Sequence, residues 1–455
     1  MTAPSSTAGR GRPAPGISSP GFSPLLVMDA ELAGPLPAVA GTGQPRRAWV
    51  LVRLHSEPVG VDVIPVDPAG LTPSQLGALL WPAVREPVTA RFGAAGLAAP
   101  GGLTGAGLRT DPAAWPFLQR RAAALDAAPL ISAVVCTRGR PAGLRTCLRA
   151  LSQQEYPAFE VVVVDNAAAD DVVRDLVVAG QGDPVQDGPP LRYVAEPRPG
   201  LSWARNAGIA AARGEIIAFL DDDEEPDRHW LAGLAAGFAH GDDIGCVSGL
   251  VVPARLDTPA QELFERLGGH CKGRGCSPAV FSGRGPQSPL YPLPPFGVGA
   301  NMAFRRDALA RIGGFDTALG AGTPACAGED TLALTLLLLS GYRVAYEPAA
   351  LMRHDHREDL GGLRRQLHGY GIGLTAYYTA LLRHRPAALA GLLRLIPAAA
   401  GYLRDGTGQA SPGPAAPPVL PRGFRRQRWW MLTGPAAYLR SLARQARAAR
   451  RVHRC

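Results

Sequence analysis

From Leu130 onward the chain alternates short apolar runs with amphipathic segments, and this rhythm limits the possible fold more than any other feature. Leu130-Ile131-Ser132-Ala133-Val134-Val135-Cys136-Thr137 is continuous, apolar and β-branched, the composition of a strand buried on both faces of a parallel sheet. Leu144, Leu148 and Leu151 then recur at helical spacing, and the run from Phe159 to Asp165 supplies a second buried strand. Further strands are expected over 191–194 and 215–220, with helices over 172–178 and 202–212. Such a series makes a doubly wound, Rossmann-like α/β sheet, which takes its ligands outside the carboxyl ends of its strands. Those ends are Thr137, Asp165 and the triplet Asp221-Asp222-Asp223.

Three consecutive carboxylates after a buried strand repel one another and raise one another's pKa unless a cation compensates them. A divalent ion does so readily, since hard cations such as Mg²⁺ or Mn²⁺ bind one or two carboxylates together with phosphate oxygens. The plainer alternative is a solvated loop in which Asp227 caps a helix over 226–239.

Four blocks in this region resemble the family 2 glycosyltransferases, inverting enzymes with the GT-A fold. They are Val134-Val135-Cys136-Thr137-Arg138-Gly139-Arg140; Val163-Val164-Asp165-Asn166; Gly200-Leu201-Ser202-Trp203-Ala204-Arg205-Asn206-Ala207-Gly208 leading to Phe219-Leu220-Asp221-Asp222-Asp223; and Gly328-Glu329-Asp330. The resemblance covers about residues 129–378. It implies a donor site in which Asp165 accepts a hydrogen bond from the nucleotide base, with Thr137, Arg138 and Arg205 near the base and ribose-diphosphate. Asp221 and Asp222 would address ribose or water, and Asp223 would contact the divalent metal bridging the diphosphate, with His354 as a further metal ligand and His356 an equal candidate by pattern. Asp330, preceded by Glu329, matches the catalytic base: inversion by single displacement needs one carboxylate to take the acceptor hydroxyl's proton and no covalent enzyme nucleophile. By themselves these residues also fit blander roles, as helix caps, a turn hydroxyl and helix-surface side chains. The segment 296–304 resembles the family strand beside the donor and acceptor sites, and a plain edge strand is the alternative.

Outside this region the expectations are looser. Residues 1–46, rich in Gly, Pro, Ser and Ala, are expected to form a leader without fold. Residues 47–92 read as a small α+β unit of unknown role: two strands over 48–54 and 61–66, and a helix over 72–81 opened by Thr72-Pro73. A Gly-rich linker and a helix ending near Ala128 fill 93–128. Residues 379–455 form a helical, Pro- and Gly-interrupted tail whose segment 422–455 holds ten Arg and no acid, enough to account for the net charge of +9. Of the 47 basic residues only Lys272 is a lysine, so arginine counts carry little meaning here. Trp429, Trp430, Met431, Leu432, Tyr438, Leu439 and Leu442 beside these arginines suggest a basic amphipathic helix on an anionic membrane, or a solvated tail. No recognition element for nucleic acid is present. His270-Cys271-x4-Cys276 lacks zinc-knuckle spacing and reads as an acceptor-side loop, and Gly320-Ala321-Gly322 is no dinucleotide fingerprint because no strand precedes it.

The seven cysteines, an odd and scattered set, are expected as reduced thiols. No run reaches the ~20 apolar residues of a spanning helix, so a cytoplasmic protein, peripheral at most on the inner membrane face, is expected. The whole implies metal-dependent transfer of a hexosyl or deoxyhexosyl group from a UDP-, GDP- or TDP-sugar to a hydroxyl of a saccharide, lipid-linked sugar or metabolite. The rivals are a catalytically silent sugar-nucleotide binder or membrane-associated scaffold, and a metal-dependent nucleotidyltransferase.

Overall fold

A computed structural model describes residues 22–181, 189–271, 274–283, 299–405 and 427–452. An N-terminal unit comprises β1 (Leu25–Glu31), β2 (Val39–Ala40), β3 (Arg46–Leu54), β4 (Glu57–Val66), β5 (Gly70–Leu71), α1 (Pro73–Ala94) and α2 (Pro116–Ala127). The α/β region follows with β6 (Ile131–Thr137), α3 (Pro141–Ser152), β7 (Phe159–Asn166), α4 (Val172–Gln181), β8 (Leu191–Glu196), α5 (Leu201–Ala211), β9 (Ile216–Asp221), β10 (Glu224–Pro226), α6 (Trp230–Phe238), β11 (Ile244–Pro253) and α7 (Pro259–Arg266). It continues through β12 (Ala279–Ser282), β13 (Met302–Arg305), α8 (Arg306–Ile312), α9 (Glu329–Leu339) and β14 (Arg343–His354). The C-terminal helices are α10 (Leu360–His384), α11 (Leu389–Asp405) and α12 (Gly434–Val452).

Among the described residues, nine strands form one mixed sheet in the order β10-β14-β11-β13-β9-β6-β7-β8, with β12 also paired to β14. Strands β6, β7, β8 and β9 run parallel, and β13 lies antiparallel between β9 and β11. The two-residue period of a strand sorts its side chains between layers: Ile131, Ala133 and Val135 pack with Leu144 and Leu151 of α3 and with α6, whereas Val134 and Cys136 pack with Ala204 of α5 and the leucines of α9. This is the doubly wound α/β architecture expected.

Several boundaries differ from expectation. Residues 25–46, assigned to the leader, hold β1 and β2; β1 pairs in parallel with β3, a non-local partnership without a local signature, while residues 1–21 of the leader lie outside the described residues. Helix α1 begins as expected, with Thr72 accepting from the Gln75 N–H and the Gln75 side chain returning to Thr72, but it passes through Pro82 and Pro87 to Ala94. Its face of Leu76, Leu80, Val84, Val88 and Phe92 is buried in the unit's core, which outweighs the local cost of the prolines. Leu103, Leu108 and Trp115 enter the same core, so the expected linker is part of this unit. The helix expected over 226–239 starts only at Trp230, because Glu224–Pro226 pair with β14. Asp227 does not cap it: its carboxylate accepts from Arg53 at 2.8 Å, joining the N-terminal unit to the turn after the acid triplet. Segment 302–305 is interior to the sheet, not an edge, while 296–298 lie outside the described residues.

The tail is docked rather than solvated where described. Tyr438 of α12, 1% exposed, packs with Tyr377 and Leu381 of α10, and its hydroxyl donates to Asp316 at 2.7 Å. His384 meets the same Asp316 oxygen at 2.9 Å. Burial opposes ionisation of Asp316, but the bonds from His384 and Tyr438 outweigh it and hold its carboxyl below the usual carboxylate range. Because the folded pKa is depressed, the stabilisation is complete above the unfolded value of about 4 and is lost as pH falls through the folded one. Acidification below about pH 4 is therefore expected to loosen α12, read as a shift in tryptophan emission from Trp429 and Trp430, and Asp316→Asn is expected to abolish that step.

Candidate active site

The sheet brings the acidic strand ends together with the start of α9. Asp165 ends β7, is 1% exposed, and accepts from the Tyr193 hydroxyl at 3.2 Å through Oδ2. Its Oδ1 is buried with no hydrogen-bond partner, and burial raises its pKa. A buried acceptor left open is costly, and a ligand N–H would satisfy it. The neighbouring Asn166 fixes the chain before α5, accepting from Gly200 N–H at 2.9 Å and donating to the Arg198 carbonyl at 2.7 Å.

The triplet splits into three environments. Asp221 keeps 31% of its side chain exposed, yet the surrounding protein desolvates it and pushes its carboxyl up to about 7 against the pull of Arg205. Asp222 is buried beneath, accepting from Thr137 Oγ1 at 2.6 Å; burial raises its pKa despite Arg140. Gly143 of α3 makes this possible, since a Cβ there would lie 2.6 Å from the Asp222 carbonyl oxygen. Asp223 is met by Arg140 at 2.6 Å and Arg357 at 3.9 Å. Burial works against its charge, but His354, Arg140 and Arg357 outweigh it and hold it below the usual range. Glu224, buried behind them, accepts from the Asp221 N–H at 2.8 Å and is raised well above the ordinary value by burial and Asp221.

Strand β14 delivers His354 opposite Glu224, and the Asp355 N–H donates to the Asp223 carbonyl at 3.1 Å. His354 Nε2 consequently stands 3.8 Å from Asp223 Oδ1. Burial pushes its pKa down to about 4, so the ring is neutral at pH 7. Its other nitrogen, Nδ1, is 2.9 Å from Nδ1 of His356, and the His270 ring packs 4.5 Å away, centroid to centroid.

Helix α9 presents Asp330 in its first turn, where a carboxylate is favoured. Gly299 N–H donates to Asp330 Oδ2 at 2.7 Å and Thr331 N–H to Oδ1 at 2.6 Å. The preceding Gly328 has φ +96°, and a Cβ there would lie 2.8 Å from the Gly373 carbonyl oxygen, so only glycine lets α9 start this close to α10. Glu329 turns inward to Arg205 at 2.8 Å, and Arg205, 2% exposed, also donates to the Gly299 carbonyl at 3.1 Å and lies 3.7 Å from Asp221.

The residues named from sequence thus converge, with three changes of role. Arg205, expected against the donor, is enclosed and spent on Glu329, Gly299 and Asp221; Glu329, expected in catalysis, is its buried counter-ion. Thr137 holds Asp222 rather than facing outward. Arg138 remains exposed, its guanidinium close to the loop at Gly322. Sequence reasoning gave no role to Arg140, Glu224, Arg357 and Glu265, and read His270 as part of an acceptor-side loop. Arg140 had a local signal, two residues after Arg138 across Gly139, whose φ of +63° turns the chain back to the triplet.

Residues 132–313 match the family model described as Glycosyl transferase family 2. Over that stretch the chain is similar to the family 2 glycosyltransferases. The chain is 28% identical over 232 residues to the pre-mycofactocin glycosyltransferase of Mycobacterium tuberculosis (strain ATCC 25618 / H37Rv), a stretch covering 50% of this chain and 43% of that protein. It is 26% identical over 231 residues to the glucosyl-dolichyl phosphate glucuronosyltransferase of Haloferax volcanii, covering 49% of this chain and 68% of the relative. The chain thus spans less than half the length of its mycobacterial relative. Among solved structures it is similar to the mannosyltransferase PcManGT from Pyrobaculum calidifontis in complex with GDP-Man and Mn²⁺, with 22% identity, a TM-score of 0.43, and coverage of 69% of this chain and 87% of that one.

Proposed function

We propose that this protein is a glycosyltransferase that moves a sugar from a nucleoside-diphosphate sugar to an acceptor hydroxyl with inversion, assisted by a divalent cation. The observation that carries the reading is the Asp221–Arg205–Glu329 bridge, which ties the acid triplet to the helix turn bearing Asp330. The open Oδ1 of Asp165 suits a base N–H of the nucleotide. A cation such as Mn²⁺ or Mg²⁺ fits the ionised Asp223 together with phosphate oxygens of the donor, and His354 Nε2 faces that carboxylate from 3.8 Å. Such an ion supplies Lewis-acid neutralisation of the leaving diphosphate. Asp223 would hold it, with Arg140 and Arg357 adding positive charge beside the diphosphate. Asp330, its carboxylate oriented by the Gly299 and Thr331 N–H groups, takes the proton of the acceptor hydroxyl as that oxygen bonds to the anomeric carbon and the nucleoside diphosphate departs.

The test is release of nucleoside diphosphate from a panel of UDP-, GDP- and TDP-sugars with Mn²⁺ or chelator, beside Asp223→Ala. Mn²⁺-dependent release of one diphosphate, lost in the variant, is expected. Pyrophosphate release would show nucleotidyl transfer instead, and donor binding without turnover across acceptor extracts would show a silent binder.

The acceptor side includes an anionic membrane in this reading. Trp429, Trp430, Leu432 and Leu439 are about half exposed or more, as are Leu389, Leu393 and Ile396 along one face of α11, and Arg440, Arg444 and Arg447 lie on α12. Tyr438 and Leu442, by contrast, are committed to packing on the domain. No helix among the described residues is long and apolar enough to cross a membrane. Co-sedimentation with phosphatidylserine vesicles, weakened by Leu393→Asp and by salt, is the expected result; equal binding to neutral vesicles would contradict the electrostatic part.

A further inference from the structure

Behind Asp223 lies a cluster that the transfer reaction does not call for. His270, from the loop after α7, meets His354 and His356 at the end of β14, and one nitrogen from each ring lies within 4.8 Å of the others. All three are buried, at 8%, 6% and 3% exposure. The Nδ1 atoms of His354 and His356 face each other at 2.9 Å, and two lone pairs cannot do so without a proton or a cation between them. The outer nitrogen of His356, Nε2, is 2.8 Å from Glu265 Oε1 of α7, and that of His354 points to Asp223 at 3.8 Å. His354 and His356 therefore each have a carboxylate on the far side and a nitrogen turned inward. A carboxylate behind an imidazole fixes its tautomer and strengthens the inner nitrogen as a metal ligand.

The spacing lies within small ring movements of what a cation requires, nitrogens as far as 4.8 Å apart having to close by up to about 1.5 Å. Tetrahedral donors at a zinc–nitrogen distance of ~2.0–2.1 Å stand roughly 3.3 Å apart, so the His354–His356 pair need open by only about 0.4 Å to admit one. An all-imidazole set favours zinc over the oxygen-seeking Mg²⁺ or Mn²⁺. The cysteines beside His270 do not contribute: Cys276 packs in an apolar cluster and the Cys271 thiol donates to the Val251 carbonyl.

We infer that His270, His354 and His356 form a structural or regulatory transition-metal site, most suited to Zn²⁺, separate from the cation on the diphosphate. His354 uses Nδ1 toward this ion and keeps Nε2–H for Asp223, so it positions the acid instead of ligating the donor's cation. The site thereby couples loop 267–271 and α7 to the acid triplet. This inference rests on the cluster and is tested without turnover.

Untagged full-length protein is soaked in Zn²⁺, desalted, and assayed for metal by mass spectrometry, then reloaded with Co²⁺. One ion per chain is expected, with the intense visible bands of tetrahedral Co²⁺. His270→Asn and His356→Asn are expected to lower metal affinity at least ~10-fold, the scale of ligand and supporting-group losses, whereas Asp223→Asn keeps the ion. A wild-type chain that desalts metal-free overturns the proposal, as does retention unchanged in both histidine variants or loss in Asp223→Asn, which would place the ion on the acids. If the histidine variants fail to fold, the wild-type Co²⁺ spectrum decides: weak octahedral bands overturn the site and tetrahedral bands support it.

Discussion

Asp330→Asn is expected to lower the rate of sugar transfer by about 10²–10⁴-fold while leaving donor binding intact. The amide keeps the size of the carboxylate and can still accept from the Gly299 or Thr331 N–H groups that orient the native side chain. It cannot take a proton from an attacking hydroxyl. A loss of that size corresponds to about 3–5 kcal/mol of transition-state stabilisation. Single-turnover transfer, measured beside equilibrium binding of the nucleotide sugar, separates the two effects. Full activity in the variant would remove Asp330 from the role of base, and loss of binding would make it part of the donor site.

Replacing Arg205 is expected to be the most damaging change to stability near the site. The guanidinium is 2% exposed and serves Glu329, Gly299 and Asp221 together. Arg205→Met removes the cation but leaves Glu329 enclosed, with its Oε2 already lacking a partner. Breaking a buried pair from one side costs about 3–5 kcal/mol, because the remaining charge is uncompensated. A fall in the unfolding midpoint on the order of 10 °C follows. Arg205→Met combined with Glu329→Gln should recover a large part of it, since the stranded charge is then gone. A double variant no more stable than Arg205→Met would mean that the arginine acts mainly through Gly299 and Asp221.

These two residues illustrate different degrees of visibility in the sequence. Asp330 stands before an unbroken leucine-rich run and after a glycine, so its place in the first turn of a helix follows from local chemistry. Arg205 is also on a foreseeable helix, but nothing local shows that its partner is Glu329, 124 positions away. The same holds for Arg53 and Asp227, separated by 174 positions, which tie the N-terminal unit to the turn after the acid triplet. His270 lies in a loop whose cysteines drew the eye, and its meeting with His354 and His356 depends on where α7 and β14 come to rest.

The sequence by itself determined the alternation of strands and helices, the two-sided burial of β6 and β7, and the placing of Thr137, Asp165 and the acid triplet at strand ends. Each of these follows from hydrophobic period and from the chemistry of neighbouring residues. Tertiary structure alone decided the parallel pairing of β1 with β3, the insertion of β13 between β9 and β11, the path of α1 through two prolines and the docking of α12. It also assigned Arg205 to Glu329 and gathered three histidines behind Asp223. Those outcomes depend on burial and charge compensation between segments distant in the chain, energies that no local pattern records.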